Sequence, residues 1–324
     1  MEHLLEVNEL KKYFPVRAGV LGRVVKYVRA VDRVSFTIGP GETLGLVGES
    51  GCGKTTVGRT MLRLIEPTGG QVCFNGIEVN GLSKRQLQAL RTRMQIIFQD
   101  PFASLNPRRV VLDLVGEGLS EHHLVKNRLE MQERVVSLLE LVGLPPQSLY
   151  RYPHEFSGGQ RQRLAIARAI SLSPELVVCD EAVSALDVSV QAQIINLLME
   201  LQNRLKMAYL FIAHDLAVVK HISRRIAVMY LGQIVELAET GELFVNPLHP
   251  YTQALLSAIP NPDPALKSKR ILISGEVDNI LTLTAGCCFQ SRCPAAMDVC
   301  RRQEPLMTEL NGHFVKCFKV QPKV

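Results

Sequence analysis

Nowhere in its 324 residues does the sequence hold a run near the ~20 apolar residues that a bilayer-spanning helix needs. The opening MEHLLEVNELKK also lacks the apolar centre of a secretory signal, so the chain is expected to stay in the cytoplasm. Tryptophan is absent, which excludes no class. No block of one charge exists either. The 37 Lys and Arg are interleaved with 31 Asp and Glu, so the formal surplus of +6 reads as solvated surface before it reads as a nucleic-acid or membrane patch. With 47% hydrophobic and 21% charged residues, disordered and fibrous classes are excluded, and the length suits one substantial domain plus an appendage, or two smaller domains. A reducing compartment makes the eight cysteines thiols or metal ligands before disulfides.

What is present is an alternation of strand and helix signals. From Leu5 to about Phe36, short apolar runs broken by basic residues predict strands at a sheet edge, with a looping insert around Ala18 to Lys26. ETLGLVGES, Glu42 to Ser50, predicts a buried strand ending in a glycine-rich turn, and VGRTMLRLI continues as a helix. Ser83 can cap the helix KRQLQALRTRM, and QIIFQ at 95–99 is a further strand. Residues from about Val110 to Ser148 have helical periodicity without strand signals, a helical insertion into an α/β core. After Ser157 come a helix, the strand ELVVCD, and the helix SVQAQIINLLMELQNRL, whose Val190, Ile194, Leu197, Leu201 and Leu205 form one core stripe. The strands YLFIAH, RIAVMY and QIVEL follow. Beyond Asn246 the text turns proline-rich and then cysteine-rich, so a boundary is expected near Ile259.

Gly48-Glu49-Ser50-Gly51-Cys52-Gly53-Lys54-Thr55 fits G-x-x-x-x-G-K-[ST] in full, directly after one predicted strand and before a predicted helix. Glycines let successive N–H groups converge on phosphate oxygens, and the helix start adds partial positive charge. Lys54 neutralises the β and γ phosphates, and Thr55 offers magnesium a hydroxyl. LVVCDE ends an apolar strand in two acids where an α/β sheet presents its ligands, so Asp180 suits magnesium and Glu181 suits the attacking water. Gln99 and His214 each close an apolar strand and could reach a γ phosphate. Ser157-Gly158-Gly159-Gln160, at the start of another helix, forms a second anion-binding end. One nucleotide cannot easily use both loops of a monomer, so the second is expected to complete a site on a partner.

In this order the motifs resemble those of the ABC ATPases, over nearly the whole chain. GESGCGKTT, including Thr56, looks like Walker A, FQD the Q-loop, FSGGQ the signature, LVVCDE Walker B, SALD with Asp187 the D-loop, and IAHD the switch histidine. The resemblance implies an α/β P-loop fold: a RecA-like mixed sheet with an antiparallel β subdomain and a helical subdomain at about 100–155, the whole spanning 1–258, followed by a cysteine-rich tail over 259–324. It implies ATP and Mg2+ as ligands, with Gln99 joining Thr55 and Asp180 at the metal, and an aromatic that stacks on adenine: Phe14, then Tyr13 or Tyr27. It also implies head-to-tail pairing with a second ATPase, so that Ser157 to Gln160 serve the partner's nucleotide. QDPFASLNPR, RYPHEFSGGQRQR, SALDVSVQAQ and NPLHPYTQALLSAIPNPDP are similar, more finely, to the ATPase subunits of dipeptide and oligopeptide importers, a group that includes nickel and glutathione systems. Expected partners are a paralogous ATPase, two membrane permeases and, through them, an extracytoplasmic solute-binding protein; nucleic acid is not expected. The chain would then work at the cytoplasmic face of the membrane. Phe156 stands where leucine usually opens the signature, and Ala182-Val183 where Pro-Thr usually follows the Walker B glutamate; neither change removes a reacting group.

Five cysteines fall between 287 and 317, as Cys287, Cys288, Cys293, Cys300 and Cys317. Such clustering fits zinc, an iron-sulfur cluster or free thiols packing a small tail, although the C-x2-C knuckle favoured by structural zinc is missing. C-x-F-x-x-R-C-P is similar to a segment of peptide-importer ATPases that can carry a 4Fe-4S cluster, and by that match the ligands are Cys287, Cys293, Cys300 and Cys317. Cys73 and Cys179 read as small apolar strand residues.

Overall fold

A computed structural model describes residues 3–19, 23–259, 271, 273 and 286–321. The chain begins with β1 (Leu5–Ala18), β2 (Arg23–Ile38), β3 (Thr43–Val47), α1 (Lys54–Met61), β4 (Gly69–Phe74), β5 (Ile77–Glu78), α2 (Lys84–Arg91) and β6 (Met94–Ile97). Four helices follow, α3 (Pro101–Ser104), α4 (Val111–Glu121), α5 (Arg128–Leu141) and α6 (Gly158–Ile170), then β7 (Leu176–Asp180), α7 (Val188–Leu205) and β8 (Ala208–Ala213). The remainder is α8 (Leu216–Ile222), β9 (Arg225–Tyr230), β10 (Gln233–Glu239), α9 (Thr240–Val245), α10 (Pro250–Ser257), α11 (Asp298–Arg302), β11 (Thr308–Leu310) and β12 (His313–Val315).

These elements fold as two compact units. The first takes residues 1–37, 43–80 and 213–324. It contains a four-stranded sheet in the order β2-β1-β4-β5 and the strand series β11-β12-β10-β9-β3. In the antiparallel β1–β4 pair, Leu5 faces Phe74 and Val7 faces Val72, all four buried, while their neighbours point outward. That period of two is why this stretch reads as strand. β3 is buried along its whole length and pairs in parallel with β9. A strand covered on both faces needs a continuous apolar run, which TLGLV supplies. The β9–β10 hairpin turns at Leu231 and Gly232, and β12 adds antiparallel to the far side of β10, matching Glu236 with Val315.

The second unit takes residues 38–42 and 81–212. β6, β7 and β8 run parallel, and every residue of β7 and β8 is buried. The helices α4 and α5 carry their apolar sides inward through Val115, Leu119, Val135 and Leu139, the helical stretch that periodicity predicts. Ser83 caps α2 as expected, its hydroxyl accepting from Gln86 N–H while Gln86 reaches back to Ser83 N–H at 2.9 Å.

Two expectations change. Residues Arg23 to Lys26 are strand, not loop: RVVKYV is rich in the β-branched and aromatic residues that suit a strand, and it carries β2 outward beyond the core, with Val24, Val25 and Tyr27 exposed. Residues 20–22 of the expected insert lie outside the described residues. In the α7 stripe Ile194, Leu197 and Leu201 are buried, but Leu205 is 40% exposed. It occupies the final turn, directly before Lys206 leaves the helix in a left-handed conformation.

Candidate functional site

The phosphate loop turns from β3 into α1. Gly51 and Gly53 both have positive φ, +80° and +107°, and a Cβ on Gly53 would lie 2.0 Å from the Ala30 carbonyl oxygen. Only glycine fits that approach. α1 opens on Gly53 with no side-chain cap and no acid in its first turn, the character of a helix start that can face an anion. Lys54 is 4% exposed, and its ammonium donates to the carbonyl oxygens of Gly48 at 2.8 Å and Glu49 at 3.0 Å. A buried ammonium held by neutral oxygens, beside an uncapped helix start, is the donor set of an anion site. Gly48, Ser50 and Cys52 complete the turn, Thr55 and Thr56 stand in the first turn of α1, and the Cys52 carbonyl accepts from Gly232 N–H at 2.9 Å.

The same unit holds the aromatic candidates. Phe14 is 37% exposed on β1, with the Lys12 ammonium 4.9 Å from its ring centre. Tyr13 donates its hydroxyl to Asp32 at 2.6 Å; burial, and then that bond and charge, push its pKa up to about 12. Tyr27 is 55% exposed on the outer part of β2. His214 follows β8 and is exposed, while Asp215 beside it caps α8 by accepting from Ala217 N–H at 2.8 Å.

In the second unit Asp180 ends β7, 1% exposed, and Glu181 follows in a left-handed conformation with φ 48°. Glu181 N–H donates to Ile212 O at 3.0 Å, which anchors the backbone to β8 while the side chain projects from the strand end. Gln99, two residues past β6, donates its amide to the Glu181 carboxylate at 2.8 Å, so the structure joins two residues that stand 82 positions apart. Ser157 caps α6 by accepting from Gln160 N–H, and Gln160 returns an acceptor to Ser157 N–H at 3.0 Å. A Cβ on Gly159 would come 2.5 Å from Val190, so α6 sits tightly against α7. Asp187 caps α7; hydrogen bonds from Ser189 and the Val190 N–H hold its carboxyl below the usual range.

The cysteines gather in the C-terminal part of the first unit. Cys287, Cys288 and Cys300 are buried, Cys293 and Cys317 half-buried, and all eight cysteines of the chain are free thiols. Hydrogen bonds from Cys288 and from His249 pull the Cys287 thiol well below its ordinary pKa. Burial pushes Cys293 and Cys317 up, and the nearby Cys287 and Cys300 add to it. The expected four-thiolate site receives no support: among the described residues, no group of three or more His, Cys, Asp or Glu side chains stands so as to hold a metal ion. Cys287 turns its sulfur toward Cys288 and His249 instead.

Sequence reasoning missed the groups that grip the phosphate loop from the C-terminal side. Arg292 makes a two-pronged ion pair with Glu49, at 2.8 and 3.2 Å, and the Tyr251 hydroxyl accepts from Glu49 N–H at 2.9 Å. The signal was available: an acid inside an anion-binding loop calls for a cation, and an arginine stands in C-x-F-x-x-R-C-P.

The ABC transporter family model matches residues 31–184, and the model of the oligopeptide/dipeptide transporter C-terminal region matches residues 235–300. The oligopeptide transport ATP-binding protein AppF of Bacillus subtilis is 52% identical over 320 residues, 98% of this chain and 97% of that protein. The chain belongs to the ABC transporter family. Among solved structures, the ABC cassette MJ0796 in a dimeric post-hydrolysis state with ADP and Pi aligns with a TM-score of 0.65 and 26% identity, over 73% of this chain and 98% of that one. CbiO1 of Clostridium perfringens, part of the ABC transporter complex cbiONQ, aligns with the same TM-score at 25% identity, over 76% and 92%. This ABC ATPase thus has a mixed-sheet P-loop fold, and no helix among its described residues is long and apolar enough to cross a membrane.

Proposed function

We propose that this ABC ATPase powers the import of dipeptides or oligopeptides, working at the cytoplasmic face of a membrane. The observation that carries its chemistry is the loop with Lys54 sunk among carbonyl oxygens at an uncapped helix start. The peptide class is supported by the match to the oligopeptide/dipeptide transporter C-terminal region and by relatives such as AppF. In this reading residues 1–258 form the ATPase domain, with a helical subdomain at about 100–155, and residues 259–324 form the tail.

The loop N–H groups from Gly48 to Thr56, with Lys54, receive the β and γ phosphates, and Phe14 stacks on adenine. Thr55, Asp180 and Gln99 are oxygen donors of the kind that suit magnesium, which when bound would supply positive charge to offset the negative charge developing on the phosphates. Glu181 orients and deprotonates the attacking water, and the 2.8 Å bond from Gln99 holds its carboxylate at a defined angle. His214 bonds the γ phosphate. Ser157, Gly158, Gly159 and Gln160 close over the nucleotide of a second, paralogous ATPase, and Asp187 lies next to that junction. Two permeases take the stroke at residues 99–155, and a solute-binding protein delivers cargo through them.

A 4Fe-4S cluster on Cys287, Cys293, Cys300 and Cys317 is the finer reading of the tail. What motivates it is the resemblance of the C-x-F-x-x-R-C-P segment to that of cluster-bearing importer ATPases. Protein purified without oxygen should then be brown and contain iron; stoichiometric zinc in colourless protein would refute it.

The test of the main reading is reconstitution with the neighbouring permeases in vesicles. Peptide-stimulated ATP hydrolysis is expected, lost in Lys54→Ala. Stimulation by nickel or glutathione and not by peptides would overturn the peptide assignment while leaving the ATPase assignment intact.

A further inference from the structure

Glu49 is the second residue of the phosphate loop, and a carboxylate there opposes the loop's task. A negative charge in such a loop repels a bound triphosphate, by about tenfold in affinity at the dielectric of a wet protein surface. The fold answers it with Arg292, 243 positions away. Nη1 and Nη2 of Arg292 grip the two carboxylate oxygens at 2.8 and 3.2 Å, and the side chain is only 8% exposed. This fork geometry fixes direction as well as charge.

The arginine is itself held. Its guanidinium lies 5.9 Å from the Tyr230 ring centre, and Nη1 is 3.4 Å from the Tyr230 hydroxyl. Tyr230, Tyr251 and Phe289 pack ring to ring, with centroids 4.7 to 5.4 Å apart. Tyr251 then takes the Glu49 N–H, so carboxylate and amide of one loop residue are both tied to the C-terminal region. The Glu49 carbonyl in turn accepts from Lys54. A continuous line of contacts therefore runs from Arg292 through Glu49 to the phosphate-binding lysine.

We propose that Arg292 is a positioning residue for nucleotide binding: it neutralises Glu49 and turns that carboxylate away from the phosphates, so the segment carrying Arg292 sets the triphosphate affinity of the loop. The inference rests on the reading of this loop as an ATP site. Because the effect is electrostatic, it grows with the charge of the ligand and shrinks with salt.

The test is equilibrium binding of fluorescent mant-ATP and mant-ADP, with magnesium, to the full-length chain. Arg292→Gln is expected to weaken ATP about tenfold and ADP by less, with the gap narrowing at high salt. Adding Glu49→Gln to Arg292→Gln should restore most of the ATP affinity. A folded Arg292→Gln protein that binds ATP like the parent, or a double variant that restores nothing, overturns the proposal. If Arg292→Gln does not fold, the double variant, which leaves no unpaired charge, decides alone: affinity within about threefold of the parent supports the idea, and a loss of tenfold or more sinks it. A parent chain that binds neither nucleotide would instead undo the ATP-site reading, a separate result.

Discussion

Replacing Gly53 by alanine tests whether the phosphate loop is held by backbone contact or merely by sequence habit. A Cβ at this position meets the Ala30 carbonyl oxygen at 2.0 Å and Met229 Cε at 3.0 Å, with φ at +107°. The carbonyl cannot withdraw cheaply. Nearby, Asp32 N–H is bonded to Gly232 O, and Gly232 N–H returns to Cys52 O, so both walls are laced together. Left-handed strain costs about 1–2 kcal/mol and overpacking about 1–3 kcal/mol, together about 2–5 kcal/mol. For a chain of this size that lowers Tm by about 5–15 °C. Gly51→Ala is the matched control: φ is +80°, but nothing lies within 4 Å, so only the conformational cost of about 1–2 kcal/mol remains. Thermal melts followed by circular dichroism measure both. MgADP at about 100 times its Kd should raise the parent's stability by about 2.7 kcal/mol and Gly53→Ala by far less, because the displaced loop no longer receives phosphate. If Gly53→Ala and Gly51→Ala melted within about 2 °C of each other, the contact argument would be refuted.

Three further outcomes are expected. Glu181→Gln should lower the hydrolysis rate of the assembled transporter by about 100-fold or more while mant-ATP affinity stays within a few-fold; unchanged turnover would remove Glu181 from the chemistry. Ser157→Ala deletes the α6 cap and should cost about 1 kcal/mol in a denaturant melt; a cost near zero would mean that Gln160 or water replaces the hydroxyl fully. Burial pushes the Asp32 carboxyl up, but hydrogen bonds from Tyr13 and Gln233, with Arg33 and Arg29 nearby, outweigh it and hold the group below its usual value. A depressed folded pKa gives stability that is present above the unfolded value of about 3.9 and lost as pH falls through the folded one. Asp32→Asn should therefore flatten the stability curve below about pH 4, and an unaltered acid limb would contradict the assignment.

The loop from Gly48 to Thr55 was legible because its chemistry is local: eight consecutive residues carry both the turn and the charge. The buried strands β3, β7 and β8 were legible for a related reason, since a strand covered on both faces must be apolar throughout. Long-range partnerships left no comparable trace. Gln99 and Glu181 could each be named from strand ends, yet their hydrogen bond joins residues 82 positions apart and no periodicity encodes it. Glu49 stands out in an anion-binding loop, but Tyr251 and Arg292 look ordinary in their own segments, and the partnership forms only when β9, α10 and the cysteine segment fold around one loop. The stretch from Arg23 to Lys26 was read as part of a looping insert, although its β-branched and aromatic residues suit a strand. For the cysteines, spacing located the thiols but could not say where each sulfur points.

The final hairpin also caps a rim. β12 lies along β10, and His313 Nε2 meets the wholly buried Glu236 at 2.8 Å, the same carboxylate that accepts from the N–H groups of Leu248 and His249. A shortened protein ending at residue 259 would strip that covering, leave a raw row of N–H and C=O groups along β10, and take one neighbour from a submerged acid. Sticky, self-associating material in size-exclusion runs is what such trimming should yield, because the rim would pass from the three-residue β11 to the seven-residue, largely buried β10.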